Sequence, residues 1–303
     1  MSKIPFRPID LSDCQTVQQK VYTTECRNCD LNFMNLMSWR FLFETELAFH
    51  KGWLLFRFKY AGHFAYLPPI GEGDWSDIMA EMQADADVHG EPFCMMGVCE
   101  HSLQRIHETM PGRFVSEFDR SFTDYVYARE SLVHLAGKKL QPKRNHINRF
   151  VKSYPDYEFQ TLTSAVFQEC LDLVRKWHER KDQVDGARLT LEEEYNAMKF
   201  TFDHWNELAG IGGVLRVNGR LVAFTYGAPI NYDTFDVCVE KADVDYDGAF
   251  TMINREFARS LPDKYLYVNR EEDLGIEGLR KAKMSYQPTV LLHKYIVRLA
   301  PQG

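Results

Sequence analysis

Two apolar, strand-rich stretches, each folding back at a tight turn and each followed by alternating helices and strands, succeed one another in this 303-residue sequence. In the second half, 213–217 and 221–226 flank Asn218-Gly219, and Asn-Gly between apolar runs is the strongest short hairpin signal. In the first half, 53–58 and 63–67 flank Tyr60-Ala61-Gly62, and Pro68 and Pro69 end the second run. The first hairpin is preceded by an expected helix over 30–44, capped by Asp30. It is followed by a helix over 75–88, where Ile78, Met79, Met82 and Ala86 recur at helical spacing. A buried strand (92–98), a short helix (101–110) stopped by Pro111-Gly112, and strand-rich 114–128 complete that half. The second half opens with two helices; Thr190 and Glu193 form a capping box for the latter. After its hairpin come a strand (234–239), a helix (249–261), a strand (265–268), a helix (276–284) and a strand-like end (289–299).

The repeat is one of element order, with little residue identity between the halves. It predicts an α/β protein of two tandem mixed sheets with helices on both faces. The expected domains are 1–135 and 136–303, joined within 132–155. The second is expected to hold the working pocket and the first to be structural, although Glu100 stands in it where the second has Glu271.

Composition removes several classes. Apolar residues are 45% of the chain and charged residues 26%, with a mean hydropathy of −0.38. No run approaches the roughly 20 apolar residues of a membrane span, and the first ten residues lack a leader pattern, so a cytoplasmic location is expected. Seven cysteines, an odd number in a large chain, do not suggest a disulfide framework. Cys26 and Cys29 have the spacing of a metal or redox pair, but no second such pair follows, and packing thiols are the alternative. There is no His-Glu-x-x-His, no Gly-x-Ser-x-Gly, no phosphate loop and no dinucleotide fingerprint, so no metal is expected.

The net charge of −7 argues against a general nucleic-acid binder, yet bases are clustered. Between 132 and 154 stand Lys138, Lys139, Lys143, Arg144, Arg149 and Lys152 without an acid. After Glu277 come Arg280, Lys281, Lys283, Lys294 and Arg298, again without one. These segments either hold an anionic substrate or are solvated basic faces.

The second half has the layout of a GNAT-type acyltransferase. In that fold an acetyl-CoA enzyme seats pyrophosphate on helix-start amides through a Gln/Arg-x-x-Gly-x-Gly/Ala loop. The matching segment is Asp245-Tyr246-Asp247-Gly248-Ala249-Phe250, where only Gly248 fits and two aspartates stand where phosphates would lie.

Two blocks carry a more specific likeness. One is Gly137-Lys138-Lys139-Leu140 with Lys143-Arg144-Asn145 and Asn148-Arg149-Phe150. The other is Asn269-Arg270-Glu271-Glu272-Asp273-Leu274-Gly275-Ile276 with Gly278-Leu279-Arg280-Lys281-Ala282-Lys283 and Ser285-Tyr286-Gln287-Pro288. In these the sequence resembles the C-terminal domain family of phosphatidylglycerol lysyltransferases. The resemblance implies two tandem GNAT-like folds. It also implies an aminoacyltransferase that takes its group from aminoacyl-tRNA and passes it to an amine, a hydroxyl or a lipid head group, with no cofactor required.

The residues suit such chemistry. Ester transfer must deprotonate an acceptor, stabilise an oxyanion and hold a polyanionic donor. Asn269, Arg270, Glu271, Glu272 and Asp273 follow a strand, at the mouth of the sheet. One of the acids is expected to hold an ammonium group or act as base, and Arg270 to pair with a carboxylate or phosphate. Lys281 and Lys283 are expected to face a phosphate; a helix whose end charges suit its dipole is the alternative. Asp236 and Glu240, four apart on a strand, are expected on one face, lining the pocket with Tyr286. Lys143, Arg144 and Arg149 are the expected donor-phosphate contacts, Arg144 and Asn148 sharing a helix face. The competing functions are a CoA-dependent N-acyltransferase with an atypical loop and a non-catalytic module that binds tRNA or another anion.

Overall fold

A computed structural model describes residues 4–181 and 190–301. Fourteen strands make two seven-stranded sheets among these residues. The first sheet contains β1 (Arg7–Pro8), β2 (Glu46–His50), β3 (Trp53–Tyr60), β4 (His63–Tyr66), β5 (Cys94–Cys99) and β6 (Phe114–Phe118). The second contains β7 (Asp124–Ala128), β8 (Glu158–Thr161), β9 (Ile211–Val217), β10 (Arg220–Pro229), β11 (Thr234–Ala242), β12 (Tyr267–Asn269) and β13 (Val290–Leu292). The last strand, β14 (Lys294–Leu299), returns to the first sheet.

The strand orders are β1-β2-β3-β4-β5-β14-β6 and β8-β9-β10-β11-β12-β7-β13. Both run five strands in sequence, then one strand from the other half, then a final strand. In both, only the fourth and fifth strands pair in parallel, β4 with β5 and β11 with β12. This is the expected mixed α/β architecture of two tandem sheets, with an exchange that the element order did not reveal. Strand β7 comes from before the expected 135/136 division and lies in the second sheet. Strand β14 comes from after it and lies in the first. The stretch 114–128 thus feeds both sheets, split by the turn Arg120–Phe122, whose start is capped by Asp119.

Several local expectations meet the structure directly. A helix spans Trp75–Val88, with Asp74 accepting from Ser76 N at 2.7 Å. The Thr190–Glu193 capping box opens the helix Leu191–Asp203. Asn218 and Gly219 turn the β9–β10 hairpin with φ of 49° and 77°, the left-handed pair a type I′ turn needs. The 30–44 helix is different. Cys29–Leu31 is a 3-10 turn, followed by helices Phe33–Ser38 and Arg40–Phe43. Asn28 and Asn32 accept from the backbone N–H groups of Asp30 and Met34, so two short side-chain caps replace one continuous ladder. Asp30 is thereby released from capping and faces the interior.

One apolar core is shared by the halves: Leu54 and Phe56 of the first sheet and Val214 and Phe224 of the second belong to the same cluster. A second core lies under the helices Gln141–Ser153 and Ala249–Ser260, a third under Trp75–Val88.

Candidate active site

The chemistry gathers where strand β12 ends. Asn269 is fully buried. Its Nδ2 donates to Arg27 O (2.7 Å) and Asp124 Oδ2 (2.8 Å), and its Oδ1 accepts from Glu271 N (2.7 Å). That last bond holds Glu271 at φ 55°, a left-handed backbone uncommon outside glycine. Two clamps fix the rest of the loop. Asp273 accepts from Tyr125 Oη (2.6 Å), Gly275 N (2.8 Å), Arg280 Nε (2.7 Å) and Arg280 Nη2 (3.0 Å). These donors hold its carboxyl below the usual range although burial pushes it up. Lys283 Nζ donates to the carbonyls of Arg270 (2.5 Å) and Glu272. Asp273 and Lys283 therefore shape the loop, while Glu271 and Glu272 extend from it into a cavity.

That cavity holds about 280 Å³ and lies between the halves. Asp30, Asn35, Glu271, Glu272 and Lys294 form its polar end; Leu36, Trp39, Phe43, Phe58, Tyr60 and Phe122 line the remainder. The pocket expected in the second half is thus walled largely by the first, and Glu100 has no place in it: its carboxylate is exposed beside His293. The strand exchange explains this, since β14 carries Lys294 from the chain end into the first sheet.

Lys294 is the countercharge of the site. Its side chain is 1% exposed, and its Nζ lies 2.9 Å from Asp124 Oδ1 and 3.1 Å from Asp30 Oδ1 and also donates to Glu272. Burial opposes its charge, but the surrounding carboxylates outweigh it and raise the ammonium well above its ordinary pKa. Burial pushes Glu272 up to about 7, against the pull of Lys294. Burial pushes Glu271 up to about 8, against the Asn35 hydrogen bond (2.7 Å) and Lys283. Asn35 also reaches Asp236 Oδ2 (3.2 Å), which accepts from Asn32 too (2.9 Å). Burial, then the nearby Glu271, raises Asp236 well above the carboxylate range, and its Oδ1 has no hydrogen-bond partner.

Glu240 corrects the strand-face expectation. It accepts from Arg270 Nη2 (2.8 Å) and Asn254 Nδ2 (3.1 Å), on the face covered by the Ala249–Ser260 helix. Asp236 faces the Phe33–Ser38 helix instead. The β10–β11 register shifts between Tyr226 and Gly227: Tyr226 pairs with Val239 and Gly227 with Val237, leaving Cys238 as the extra residue of a bulge. One extra residue reverses the alternation, so residues four apart point oppositely. Gly227 permits the bulge, since a Cβ there would sit 1.7 Å from the Asp236 carbonyl oxygen.

Arg270 and Tyr286 therefore belong to a second cluster. Arg270 stacks 4.7 Å from the Tyr286 ring centre and Lys143 lies 4.0 Å from it. Burial, then the neighbouring Arg270, pushes Lys143 down to about 8. Of the expected phosphate contacts only Lys143 joins this group. Arg144 donates to the carbonyls of Leu135 and Gly137, Arg149 pairs with Asp247, and Lys281 pairs with Glu277 at 2.6 Å in the open.

Asn32, Asn35 and Asp124 were not singled out from the sequence, and Lys294 stood there only as one base of a cationic segment. The available signal was a lone acid in the apolar run 122–127 and a lone lysine in 290–297, each costly in a strand unless the two meet. Two trios have donor atoms within 4.8 Å of one another, Cys29–Asp30–Glu272 and Asp236–Cys238–Glu271. The first faces the Lys294 ammonium and the second the amides of Asn32 and Asn35. Among the described residues no helix is long and apolar enough to cross a membrane.

Residues 23–298 match the family model of the phosphatidylglycerol lysyltransferase C-terminal domain. A conserved protein of unknown function from Bacteroides thetaiotaomicron is 46% identical, with a TM-score of 0.93 over 98% of this chain and 100% of that one. L-PGS from Bacillus licheniformis shares the fold at 16% identity, with a TM-score of 0.68 over 97% of this chain and 93% of that one. An uncharacterized protein of Mycoplasmoides gallisepticum is 22% identical over 181 residues, 59% of this chain and only 57% of the relative's length.

Proposed function

The chain belongs to the phosphatidylglycerol lysyltransferase C-terminal family, and from that premise we propose that it moves an aminoacyl group from aminoacyl-tRNA to an amine or hydroxyl acceptor in the cavity between its halves. The supporting observation is the pair Glu271 and Glu272, held at the polar end of a largely apolar cavity beside the buried ammonium of Lys294. The acceptor nitrogen or oxygen attacks the ester carbonyl carbon and gives its proton to Glu272, whose pKa of about 7 suits a base near neutrality. The bond from carbonyl carbon to the tRNA ribose oxygen then breaks, and that oxygen leaves with the proton from Glu272. Lys294 and the Asn35 amide supply positive potential where the oxyanion develops. The acceptor is a small molecule or a lipid head group.

The reaction needs no cofactor in this reading. At the start of the Ala249–Ser260 helix, where a CoA pyrophosphate would lie, Asp247 carries negative charge and pairs with Arg149. A Cβ at the adjoining Gly248 would sit 2.7 Å from the His146 carbonyl oxygen, so the neighbouring helix already backs that turn. The exposed Lys138, Lys139 and Lys152, with Arg149, offer tRNA phosphates a basic face. The test is incubation with total charged tRNA. Loss of aminoacyl ester with appearance of an aminoacylated acceptor is expected, together with salt-sensitive tRNA binding. No deacylation at high protein concentration and no binding at low salt would sink the reading.

A further inference from the structure

We propose that the aminoacyl group this cavity accepts carries a single ammonium and an apolar side chain of leucyl to phenylalanyl size, and that lysyl is disfavoured. The inference rests on the aminoacyltransferase reading and concerns the selectivity of the same cavity.

The lining separates by polarity. Its charged members, Asp30, Glu271, Glu272 and Lys294, stand together at one end, and no other lining residue is charged. Aromatic and aliphatic side chains form the wall, with Phe43 edge-on to Phe58 and Tyr60 edge-on to Phe122. Of the three lining carboxylates, Asp30 and Glu272 already bind the Lys294 ammonium. Among the described residues the Asn35 amide is the one hydrogen-bond donor to the Glu271 side chain, and the Lys283 ammonium is committed to two loop carbonyls. The site thus presents one carboxylate to an incoming ligand, enough for one cation.

Covalent geometry decides which cation. In an aminoacyl ester the α-ammonium is two bonds from the carbonyl carbon. Seating it on Glu271 places the reacting carbonyl beside Glu272 and Lys294, and points the side chain into the apolar wall. A lysyl group has two ways to bind, both poor. With its α-ammonium on Glu271, its second ammonium enters the aromatic wall without a partner, which costs several kcal/mol unless it stays protruding into water. With its side-chain ammonium on Glu271, the carbonyl lies four methylenes farther away, against aromatic rings that can neither deprotonate an acceptor nor hold an oxyanion. Size agrees: about 280 Å³ lies just below the roughly 300 Å³ at which pockets for drug-sized ligands begin, and suits one amino acid.

Amino-acid amides serve as probes, because they keep the α-ammonium and carbonyl but cannot be hydrolysed as readily as esters. Titration calorimetry on the full chain would compare leucinamide, phenylalaninamide, lysinamide and N-acetyl-leucinamide. Leucinamide or phenylalaninamide is expected to bind at least about tenfold more tightly than lysinamide, and the acetylated probe not to bind. Lysinamide binding as tightly as the apolar amides, or no binding by any of the four, overturns the proposal. Tyr60 lines the cavity and is 40% exposed, so Tyr60→Glu adds a further carboxylate without emptying a core position. It should raise lysinamide affinity about tenfold at an unchanged melting temperature. If lysinamide affinity does not move in a folded Tyr60→Glu protein, the apolar wall is not what excludes it and the proposal fails. Deacylation of individual charged tRNAs separates this inference from its premise. Preference for lysyl-tRNA overturns the selectivity and keeps the transferase; amide selectivity without deacylation of any tRNA overturns the transferase and keeps the selectivity.

Discussion

Replacing Lys294 by methionine keeps the length and apolar stem of the side chain and removes only its charge. In the native protein that charge lies 2.9 Å from Asp124 Oδ1, with both side chains at most 1% exposed. Removing one partner of a buried pair leaves the other uncompensated, at a typical cost of about 3–5 kcal/mol. Two features argue for the lower part of that range. Asp124 keeps hydrogen bonds from Cys29 N (2.9 Å) and Asn269 Nδ2 (2.8 Å). Asp30 and Glu272 have side chains 29% and 17% exposed, so water can reach them. We expect Lys294→Met to lose about 3 kcal/mol in a urea titration, with an unchanged slope, and Asp124→Asn/Lys294→Met to recover 1 kcal/mol or more of it. The pH dependence has a definite sign. The native pKa of Lys294 is raised above its ordinary 10.5, so its contribution is complete below about pH 10.5 and is lost only as pH climbs through the still higher native value. The deficit of the variant should therefore be flat, as far as lysine ionisation decides it, from pH 6.5 to 9. A loss below about 1 kcal/mol, or a double variant no better than the single one, would refute the claim that Lys294 neutralises this cluster.

Three further outcomes are expected. Gly227→Ala forces a Cβ into the Asp236 carbonyl and should cost at least 1–3 kcal/mol of stability, read from thermal unfolding; a neutral effect would mean the bulge is not required. Glu271→Gln mimics the protonated acid that burial already favours below about pH 8, so stability should stay within about 1 kcal/mol at pH 7, while aminoacyl transfer falls about 100-fold or more because the substrate α-ammonium loses its carboxylate partner. Equal loss of folding and turnover would assign Glu271 to structure instead. Lys143 has a native pKa of about 8 against 10.5 ordinarily, so the unfolded chain binds more protons in that interval. Wild-type stability should rise relative to Lys143→Met between pH 8 and 10.5, measured as urea midpoints, and a difference that does not change with pH would contradict the burial of that ammonium.

Elements whose signals are local were legible in the chain. Asn218-Gly219 demands a left-handed turn whatever surrounds it, the Thr190–Glu193 box closes within one helical turn, and the apolar spacing of 75–88 lies on one helix face. The block 269–273 was also legible as a place of concentrated chemistry, because acids and an amide follow an apolar strand. What those residues do was not. Asp273 looks like Glu271 and Glu272 in sequence, and Lys283 like Lys281, yet Asp273 and Lys283 bind the loop's own backbone and flanks, a distinction made by Tyr125, Arg280 and two carbonyl groups.

By itself, then, the sequence determined the repeated element order, the hairpin turn and the helix caps, since hydrogen bonding within a few residues sets them. Tertiary structure decided which sheet β7 and β14 enter, because a strand's pattern specifies its faces but not its neighbours. It decided the opposite facing of Asp236 and Glu240, because alternation holds only until a bulge adds a residue. It also decided the site itself. Asp124 and Lys294, 170 positions apart, are each unfavourable in an apolar strand, and only the exchange that brings them within 2.9 Å makes either charge tolerable.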